Sequence, residues 1–347
     1  MSPSSALTSP LDHGVQQQQQ PRLQLFFDWD ETITAHDTLS LIPPQHTTPP
    51  FADLGSAYMQ DLESFHSEFQ QKKNRDTTPQ DLVSIYGLHP GSAPHLTPEL
   101  AAELEYLHAL DQVELTSVNR TERSGIFVGW DPVHAQERAK SREFVQIRTG
   151  WRDVVTWLVE QDSREVEMHV ISVSWSATFI LAGLRSHPDS LLPPASTYPT
   201  TLNANDPVLN TNNLGAGALS KSSSKSESGV KAGIRTGKHK LDVLRSLVHP
   251  ASGTTTATTI TIYVGDSSTD LPCLLHAHIG ILIGNKHSML TKLDGLGVVV
   301  ENVDAFLERW QEMGRRALGG GIGSTQEPRL VGVADWVDVL RIFRALS

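Results

Sequence analysis

Cysteine is almost absent from the 347-residue sequence, in which Cys273 is the only one. A single thiol cannot form an intrachain disulfide, and it cannot supply the several cysteines of a structural zinc site. Secreted scaffolds that depend on disulfides and cysteine-rich zinc domains are therefore excluded. This composition favours a protein of the reducing cytoplasm.

Basic side chains are also scarce, since 28 Lys and Arg stand against 39 Asp and Glu and the formal net charge is -11. Sequence-independent nucleic-acid binding depends on clustered cationic side chains that release counterions from phosphates. We therefore expect no nucleic-acid partner. The acidic balance is typical of an ordinary soluble enzyme.

Long apolar runs are missing as well, because no stretch of about 18 uninterrupted apolar residues is present, as a membrane-spanning helix would need. The start Met-Ser-Pro-Ser-Ser lacks the basic residues and the apolar segment of a secretory signal. We expect no membrane partner. No sustained heptad indicates an interface, so the oligomeric state stays open between monomer and dimer.

Two stretches have little apolar content. Residues 1–21 are rich in Ser, Pro and Gln, and such a composition cannot bury enough surface to offset the entropy lost on ordering. They are predicted to be a disordered tail. Residues 186–237 are dominated by Ser, Asn, Thr, Gly and Pro, which predicts a low-complexity, flexible insertion.

Elsewhere short apolar runs alternate with amphipathic segments, a pattern that predicts an α/β fold with a parallel, doubly wound sheet. Helices on both faces of this sheet would give three α/β/α layers. Strands are predicted at residues 23–27, 168–172, 259–265, 280–283 and 298–300. Helices are predicted at residues 151–161, 176–184 and 240–247, from residue 271, and at 303–316 and 335–345.

The segment 38–145 differs from this alternation, because its helical stretches are broken by proline-rich loops and no strand pattern is evident. Its position after the first strand predicts an inserted, mostly helical cap that stands over the sheet edge. The catalytic core would then comprise residues 22–37 and 146–347.

Two strands of the predicted sheet end in acidic residues. Asp28 and Asp30 follow the first strand, and Asp266 and Asp270 follow the strand that ends at Gly265. Because ligands of open α/β sheets bind at the carboxyl ends of the strands, we expect these side chains to be functional. Carboxylates completed by water and phosphate oxygens are the ligands that Mg²⁺ prefers.

A hydroxyl and a lysine lie between these acidic motifs. Ser172 ends a predicted strand, and Lys238 and Lys240 open a predicted helix. A hydroxyl can hydrogen-bond phosphoryl oxygens, and an ammonium group stabilises the charge that develops during phosphoryl transfer. We select Lys240 over Lys238 because it directly precedes the helix. Taken singly, each of these residues is more often a strand-end cap or a surface side chain.

The ordered set of four motifs resembles the signature of the haloacid dehalogenase superfamily: Asp-x-Asp-x-Thr, a strand-end Ser, a Lys, and Gly-Asp-x-x-x-Asp. The segment Asp28-Trp29-Asp30-Glu31-Thr32-Ile33-Thr34 is particularly similar to the phosphoserine-phosphatase-like branch. The motifs span residues 28–270. The resemblance implies a Rossmann-like core, a mobile cap after the first strand, and Mg²⁺ as cofactor.

The resemblance also implies chemical roles. Asp28 would be the nucleophile that forms an aspartyl-phosphate, and Asp30 would be the general acid and base. Thr32, Ser172 and Lys240 would hold the phosphoryl group.

The same resemblance implies how the metal is held. Mg²⁺ would be bound by Asp28, the backbone carbonyl of Asp30 and Asp266, and Asp270 would support this site without contacting the ion. The substrate would be a small phosphorylated metabolite and the reaction phosphomonoester hydrolysis.

The sequence departs from the family at Val173, which replaces the glycine that commonly follows the second-motif serine. This departure affects the leaving-group pocket, so the substrate is not defined. Two alternatives to hydrolysis also stay open: a phosphotransferase or phosphomutase of the same superfamily, and a non-catalytic protein that keeps the fold for binding or regulation. Trp175, Tyr58 and Asp61 could line the pocket, although packing is the simpler interpretation.

Overall fold

A computed structural model of the chain describes residues 21–71, 79–86, 96–161, 165–190, 192–193, 196–220, 233–248, 259–314 and 329–347. Apart from Pro21, the predicted N-terminal tail lies outside the described residues. The Ser- and Lys-rich run at 221–226 and the glycine-rich stretch at 319–323 also lie outside them.

The described strands form one large sheet and one hairpin. They are β1 (Arg22–Phe27), β2 (Val166–Ile171), β3 (Thr201–Asn203), β4 (Asp206–Leu209), β5 (Gly215–Ser220), β6 (Thr259–Gly265), β7 (Ile279–Ile283), β8 (Val299–Asn302) and β9 (Arg329–Val333). The large sheet has the order β3-β2-β1-β6-β7-β9-β8, and every pairing in it is parallel. Strands β4 and β5 form the antiparallel hairpin.

The described helices flank the sheet or precede β2. They are α1 (Phe51–Gln71), α2 (Pro79–Tyr86), α3 (Pro98–Ala109), α4 (Asp111–Ser124), α5 (Pro132–Ala139), α6 (Trp151–Glu160), α7 (Ala177–Ser186), α8 (Gly237–Leu247), α9 (Leu271–His276), α10 (His287–Gly295), α11 (Val303–Gly314) and α12 (Trp336–Leu346). None of them combines the length and the apolar character that crossing a bilayer requires.

The sheet buries both of its faces, as its apolar strands require. Phe27 and the alternate strand residues on its face pack with buried residues of α6, α7 and α12. Phe26 on the opposite face packs with buried residues of α8, α9 and α10. The molecule therefore has the three-layer α/β/α architecture that the alternating sequence pattern predicted.

The sequence prediction is wrong in part for residues 186–237. Strand β3 lies in this range and joins the sheet beside β2, and the β4–β5 hairpin follows it. Strand β3 could not be predicted from the composition, because it has only three residues and is fixed by tertiary contacts. Thr200 donates its N–H to the Met168 carbonyl at 2.6 Å, and the Thr201 hydroxyl lies 2.9 Å from Nδ1 of His169.

Strand β9 and helix α10 were also not predicted, whereas β1, β2, β6, β7 and β8 lie where the sequence placed them, to within two residues. Helices α1–α5 provide the helical content predicted for residues 38–145, and the described part of that range contains no strand. The division of the chain into a core and a cap stays a prediction.

The loop after β1 is held by a tryptophan that packs against α7 at a glycine, where no side chain fills the space. Trp29 is fully buried, and a Cβ atom added to Gly183 would lie only 2.6 Å from Cη2 of its indole ring. Glycine at this helical position therefore leaves the room that the ring needs. Because Trp29 directly follows Asp28, this contact also positions the acidic motif.

We expect Gly183→Ala to lower the free energy of unfolding by about 1–3 kcal/mol, because the added methyl group overpacks the core against Trp29. Gly55→Ala is the matched control, since Gly55 is also helical and a Cβ atom there would have no heavy atom within 4 Å. The control should raise the free energy of unfolding by about 0.5–1 kcal/mol through helix propensity. Urea denaturation measures both values, and equal effects would contradict the packing argument.

Candidate active site

The two acidic motifs lie side by side because β1 and β6 are neighbouring parallel strands. Phe27 is paired with Val264, and Asp28 donates its N–H to the Val264 carbonyl at 3.1 Å. Asp28 and Asp266 each lie just beyond the carboxyl end of their strand. This is the edge at which open α/β sheets bind ligands.

A buried lysine joins the carboxylates at this edge. The Lys240 ammonium group lies 2.7 Å from Oδ2 of Asp28 and 2.8 Å from Oδ1 of Asp270. Lys240 is fully buried, whereas Lys238 is partly exposed and pairs with Asp242 on its own helix. The structure therefore brings Lys240, and not Lys238, into contact with the acidic motifs.

The Asp270 carboxylate accepts hydrogen bonds on both of its oxygens. Oδ1 accepts from Lys240 and from the Tyr263 hydroxyl, each at 2.8 Å. Oδ2 accepts from the N–H groups of Asp266 and Ser267 and from the Ser267 hydroxyl. Because five donors occupy this side chain, its geometry suits a supporting role better than direct binding of a metal ion.

Asp266 has a more open environment. Its Oδ1 accepts a hydrogen bond from the Thr32 hydroxyl at 3.2 Å, and its Oδ2 lies 2.6 Å from the Lys286 ammonium group. Lys286 is partly exposed and also pairs with Glu31 at 2.8 Å. Asp266 thus already has a cation beside it, and that cation belongs to a side chain that could withdraw into solvent.

The carboxylate of Asp30 is held by the chain that leads into α1. Its Oδ1 accepts from the Thr38 N–H at 2.7 Å and from the Thr38 hydroxyl at 2.6 Å. The Thr38 hydroxyl in turn accepts from Nε1 of Trp29 at 3.0 Å. The position of Asp30 therefore depends on the segment that connects β1 to the first long helix.

Burial and neighbouring charges shift the pKa values of the three carboxyl groups in different directions. Burial raises the pKa of Asp28, and it raises that of Asp266 to about 6, helped by the negative charge of Asp270. Burial also opposes ionisation of Asp270, but the ammonium group of Lys240 outweighs this effect and the pKa of Asp270 is lowered. Asp270 and Lys240 therefore form the charged pair, and Asp28 ionises less readily.

Burial and neighbouring groups also shift the pKa values of Lys240 and Asp30. Desolvation opposes the charge of Lys240, but the two carboxylates beside it outweigh this effect and its pKa is raised. Burial raises the pKa of Asp30 to about 7, against the lowering effect of the Thr38 hydroxyl. Lys240 thus remains a cation across the physiological range, while Asp30 changes its charge within that range.

The donor set fits a hard divalent cation. Oxygen atoms of Asp28, Asp266 and Asp270 all lie within 4.8 Å of one another, and all three residues are buried. Carboxylate oxygens grouped in this way are the ligands that Mg²⁺ prefers. Asp28 and Asp266 have the oxygens that are least occupied by protein donors.

Ser172 lies at the same edge, one residue beyond β2. Because Phe27 is paired with Val170, Ser172 lies at nearly the same height along the sheet as the residues that follow β1. It is fully buried, its N–H donates to Asn203 at 2.9 Å, and its hydroxyl accepts from the Ser174 N–H at 3.1 Å. Asn203 belongs to β3, so the unpredicted strand helps to fix this serine.

Four residues of the site were not found by sequence reasoning. Tyr263 and Thr38 bond the acidic motifs directly, Lys286 pairs with Asp266, and Arg148 donates Nε–H to the Thr32 carbonyl at 3.2 Å. Lys286 could have been found, because it follows β7 and therefore lies at the same sheet edge. The other three depend on contacts that the sequence does not display.

A cavity of about 210 Å³ is lined by Leu39, Val173 and Thr269, which are chain neighbours of Thr38, Ser172 and Asp270. It lies between α1 and α4 on one side and the segments after β1, β2 and β6 on the other. Trp175 and Tyr58, two of the three pocket residues considered from the sequence, line this cavity. The third, Asp61, instead forms an ion pair with Arg120.

These features define a parallel α/β protein with a buried lysine–carboxylate cluster at the carboxyl edge of its sheet. No family model matches the chain, and no curated protein matches it. Among solved structures, the chain is similar to a substrate-bound phosphoserine phosphatase complex. The identity is 13%, the match covers 79% of this chain and 91% of that chain, and the TM-score is 0.35.

Two further solved structures are similar over most of the chain. A HAD family hydrolase from Salmonella enterica subsp. enterica serovar Typhi has 14% identity, covering 79% of this chain and 66% of that chain, with a TM-score of 0.35. A conserved protein of unknown function from Anaerococcus prevotii DSM 20548 has 11% identity, covering 81% of this chain and 86% of that chain, with a TM-score of 0.41.

Replacement of the buried lysine should destabilise the fold. We expect Lys240→Met to lower the free energy of unfolding by about 3–5 kcal/mol, because it leaves buried carboxylates without their cation. Lys238→Met is the matched control and should change it by less than about 1 kcal/mol, since its ion pair is solvent-exposed.

The pH dependence of this deficit gives a second readout. Carboxylates whose pKa is raised in the folded state bind protons more readily there than in the unfolded chain, so folding is favoured as the pH falls. Without Lys240, Asp28 and Asp270 lose the cation that lowers their pKa values, so both should take up protons more readily in the folded variant than in the folded wild type. The deficit of Lys240→Met should therefore shrink as the pH falls from about 7 to about 5. Urea titrations across this range test the point, and a deficit independent of pH would contradict it.

Proposed function

We propose that the chain is a magnesium-dependent phosphomonoester hydrolase that acts on a small phosphorylated compound through an aspartyl-phosphate. The observation that carries this proposal is the contact of Asp28 with Lys240 at 2.7 Å at the carboxyl end of the interior strand β1. A buried carboxylate beside a fixed cation can approach a phosphoryl group without strong electrostatic repulsion.

In the first step an Asp28 carboxylate oxygen attacks phosphorus while the bond from phosphorus to the ester oxygen breaks. The leaving alkoxide takes a proton from Asp30, and the phosphoryl group stays on Asp28. In the second step water attacks the same phosphorus atom and gives its proton to Asp30. Inorganic phosphate leaves, and the Asp28 carboxylate is restored.

The properties of Asp30 suit both steps. Because burial raises its pKa to about 7, both its protonated and ionised forms are populated at neutral pH. A group that must first donate and then accept a proton works best with a pKa near the working pH. The two hydrogen bonds from Thr38 hold the carboxylate in one orientation for this exchange.

Other residues of the chain would bind and orient the phosphoryl group. Lys240 supplies a fixed positive charge, and Thr32 and Ser172 supply hydroxyl groups at the same sheet edge. Asp28, Asp266 and the backbone carbonyl of Asp30 would hold Mg²⁺, with Asp270 as their support. Bound Mg²⁺ would neutralise charge on the phosphoryl oxygens.

The test compares Asp28→Asn with the wild-type protein in the presence of Mg²⁺ and a generic aryl phosphate. We expect hydrolysis by the wild type and a loss of at least about 10³-fold in the variant, because an amide cannot act as the nucleophile. Asp294→Asn, which changes an exposed carboxylate at the end of α10, is the control and should keep its activity. Undiminished hydrolysis by Asp28→Asn would overturn the mechanism.

A further inference from the structure

The cavity of about 210 Å³ is lined in part by residues that directly follow or precede residues of the proposed site. Three of its lining residues are chain neighbours of residues already described: Leu39 follows Thr38, Val173 follows Ser172, and Thr269 precedes Asp270. A group attached to a phosphate at Asp28 would therefore have this cavity beside it. The cavity is the place where the leaving alcohol would lie.

The walls of this cavity are largely apolar. Phe51 and Trp175 meet there with their rings nearly perpendicular, at 84° and 6.0 Å between centroids. Trp175 is fixed from another direction by Phe127, at 5.8 Å. Leu54 and Ile234 add aliphatic surface. Rigid aromatic walls of this kind favour an apolar or aromatic guest.

The charged groups at the cavity already have protein partners. Arg235 donates to the Asp111 carboxylate at 2.9 and 3.1 Å, and the Tyr58 hydroxyl donates to Glu114 at 2.7 Å. A leaving group that carries a carboxylate would have to displace Asp111 from Arg235 and would face the acidic side chain of Glu114. The polar groups therefore disfavour an anionic or zwitterionic alcohol.

The size of the cavity sets the size of its guest. An apolar cavity of ~150 Å³ in a protein core accommodates one benzene ring. A volume of about 210 Å³ thus accepts one ring and the methylene group that links it to the ester oxygen. Pockets for drug-sized molecules begin at roughly 300 Å³, so two fused rings with substituents would not fit.

From this geometry we infer that the substrate is the phosphate monoester of an uncharged alcohol bearing a single aromatic ring, which occupies the cavity between α1 and α4. The inference rests on the proposed function and specifies its substrate class. Val173 contributes to this specificity, because it lines the cavity and its side chain adds apolar surface that a glycine would lack.

Gly55 offers a way to fill the cavity. It lies on α1 among the lining residues, and a Cβ atom built on it would have no heavy atom within 4 Å. Gly55→Leu should therefore project into the space that the ring would occupy. Gly55→Ala is its matched control, since it also replaces the helical glycine by a stronger helix former but adds little volume.

The experiment measures kcat/KM of the purified protein with Mg²⁺ for benzyl phosphate, ethyl phosphate and phosphoserine. Benzyl and ethyl phosphate both release a simple alkanol, so their ratio reports binding of the ring. We expect the wild type to prefer benzyl phosphate over each of the other two by about tenfold or more, as burial of one ring predicts. Gly55→Ala should keep this ratio, and Gly55→Leu should reduce it towards one.

The other outcomes contradict different parts of the proposal: the substrate class, the assignment of the cavity, or the proposed function. Hydrolysis of all three esters by the wild type without preference for benzyl phosphate overturns the substrate class and leaves the phosphatase intact. A preference that survives in a folded Gly55→Leu places the ring elsewhere and overturns the assignment of the cavity. Hydrolysis of the generic aryl phosphate but of none of these three esters also overturns the substrate class, whereas hydrolysis of none of the four overturns the proposed function itself. The wild-type comparison needs no variant, so it decides even where Gly55→Leu fails to fold.

Discussion

The buried ammonium group of Lys240 lies between two carboxylates that reach it from different strands, Asp28 after β1 and Asp270 after β6. Without this cation the carboxyl ends of two neighbouring strands would hold like charges in a region from which water is excluded. The cost of burying the lysine is offset only because both carboxylates are present. The strand register, the start of α8 and the ionisation of the acidic motifs therefore depend on one another.

The rest of the site is arranged around this cluster by aromatic residues. Trp336 donates Nε1–H to the Thr32 carbonyl at 2.9 Å, and its ring packs against Trp151 with centroids 4.7 Å apart. Trp29 packs against α7 and donates to Thr38, which holds Asp30. The loop that carries both aspartates is thus fixed by large, rigid side chains in addition to the backbone hydrogen bonds that Ile33 and Thr34 donate to the Trp29 carbonyl. Such support gives reacting groups a defined geometry before a substrate binds.

Most of the sheet could be predicted from the sequence because its strands are contiguous apolar runs. The run from Leu23 to Phe27 is buried on both faces of the sheet and can be interpreted without knowledge of its neighbours. Strand β3 could not be found in this way, since Thr201–Asn203 is short, polar in part, and ordered only by pairing with β2. Strand β9 contains Gly332, which weakens the local strand signal.

At the site, too, residues with a local sequence signal could be predicted, whereas residues fixed only by tertiary contacts could not. Asp28, Ser172 and Asp266 end or follow predicted strands and lie at one sheet edge, because parallel strands place their carboxyl ends together. Their chemical roles stay predictions. The contact between Asp30 and Thr38 was not predictable, since it joins a strand end to a loop of no regular pattern. The same limit hid Tyr263, because a strand residue on a buried face has no sequence feature that marks its partner Asp270.

The central claim is that Asp28 receives the phosphoryl group. Its most direct test is to incubate Asp30→Asn with Mg²⁺ and a phosphomonoester, quench with acid, and locate the added mass by peptide mass spectrometry. An amide at position 30 can still leave a phosphoryl group on Asp28 when the leaving group is good, but it cannot accept the proton from water, so the intermediate should accumulate. The account predicts one phosphoryl group on Asp28, whereas a phosphoryl group on another residue, or turnover without any adduct, would contradict it.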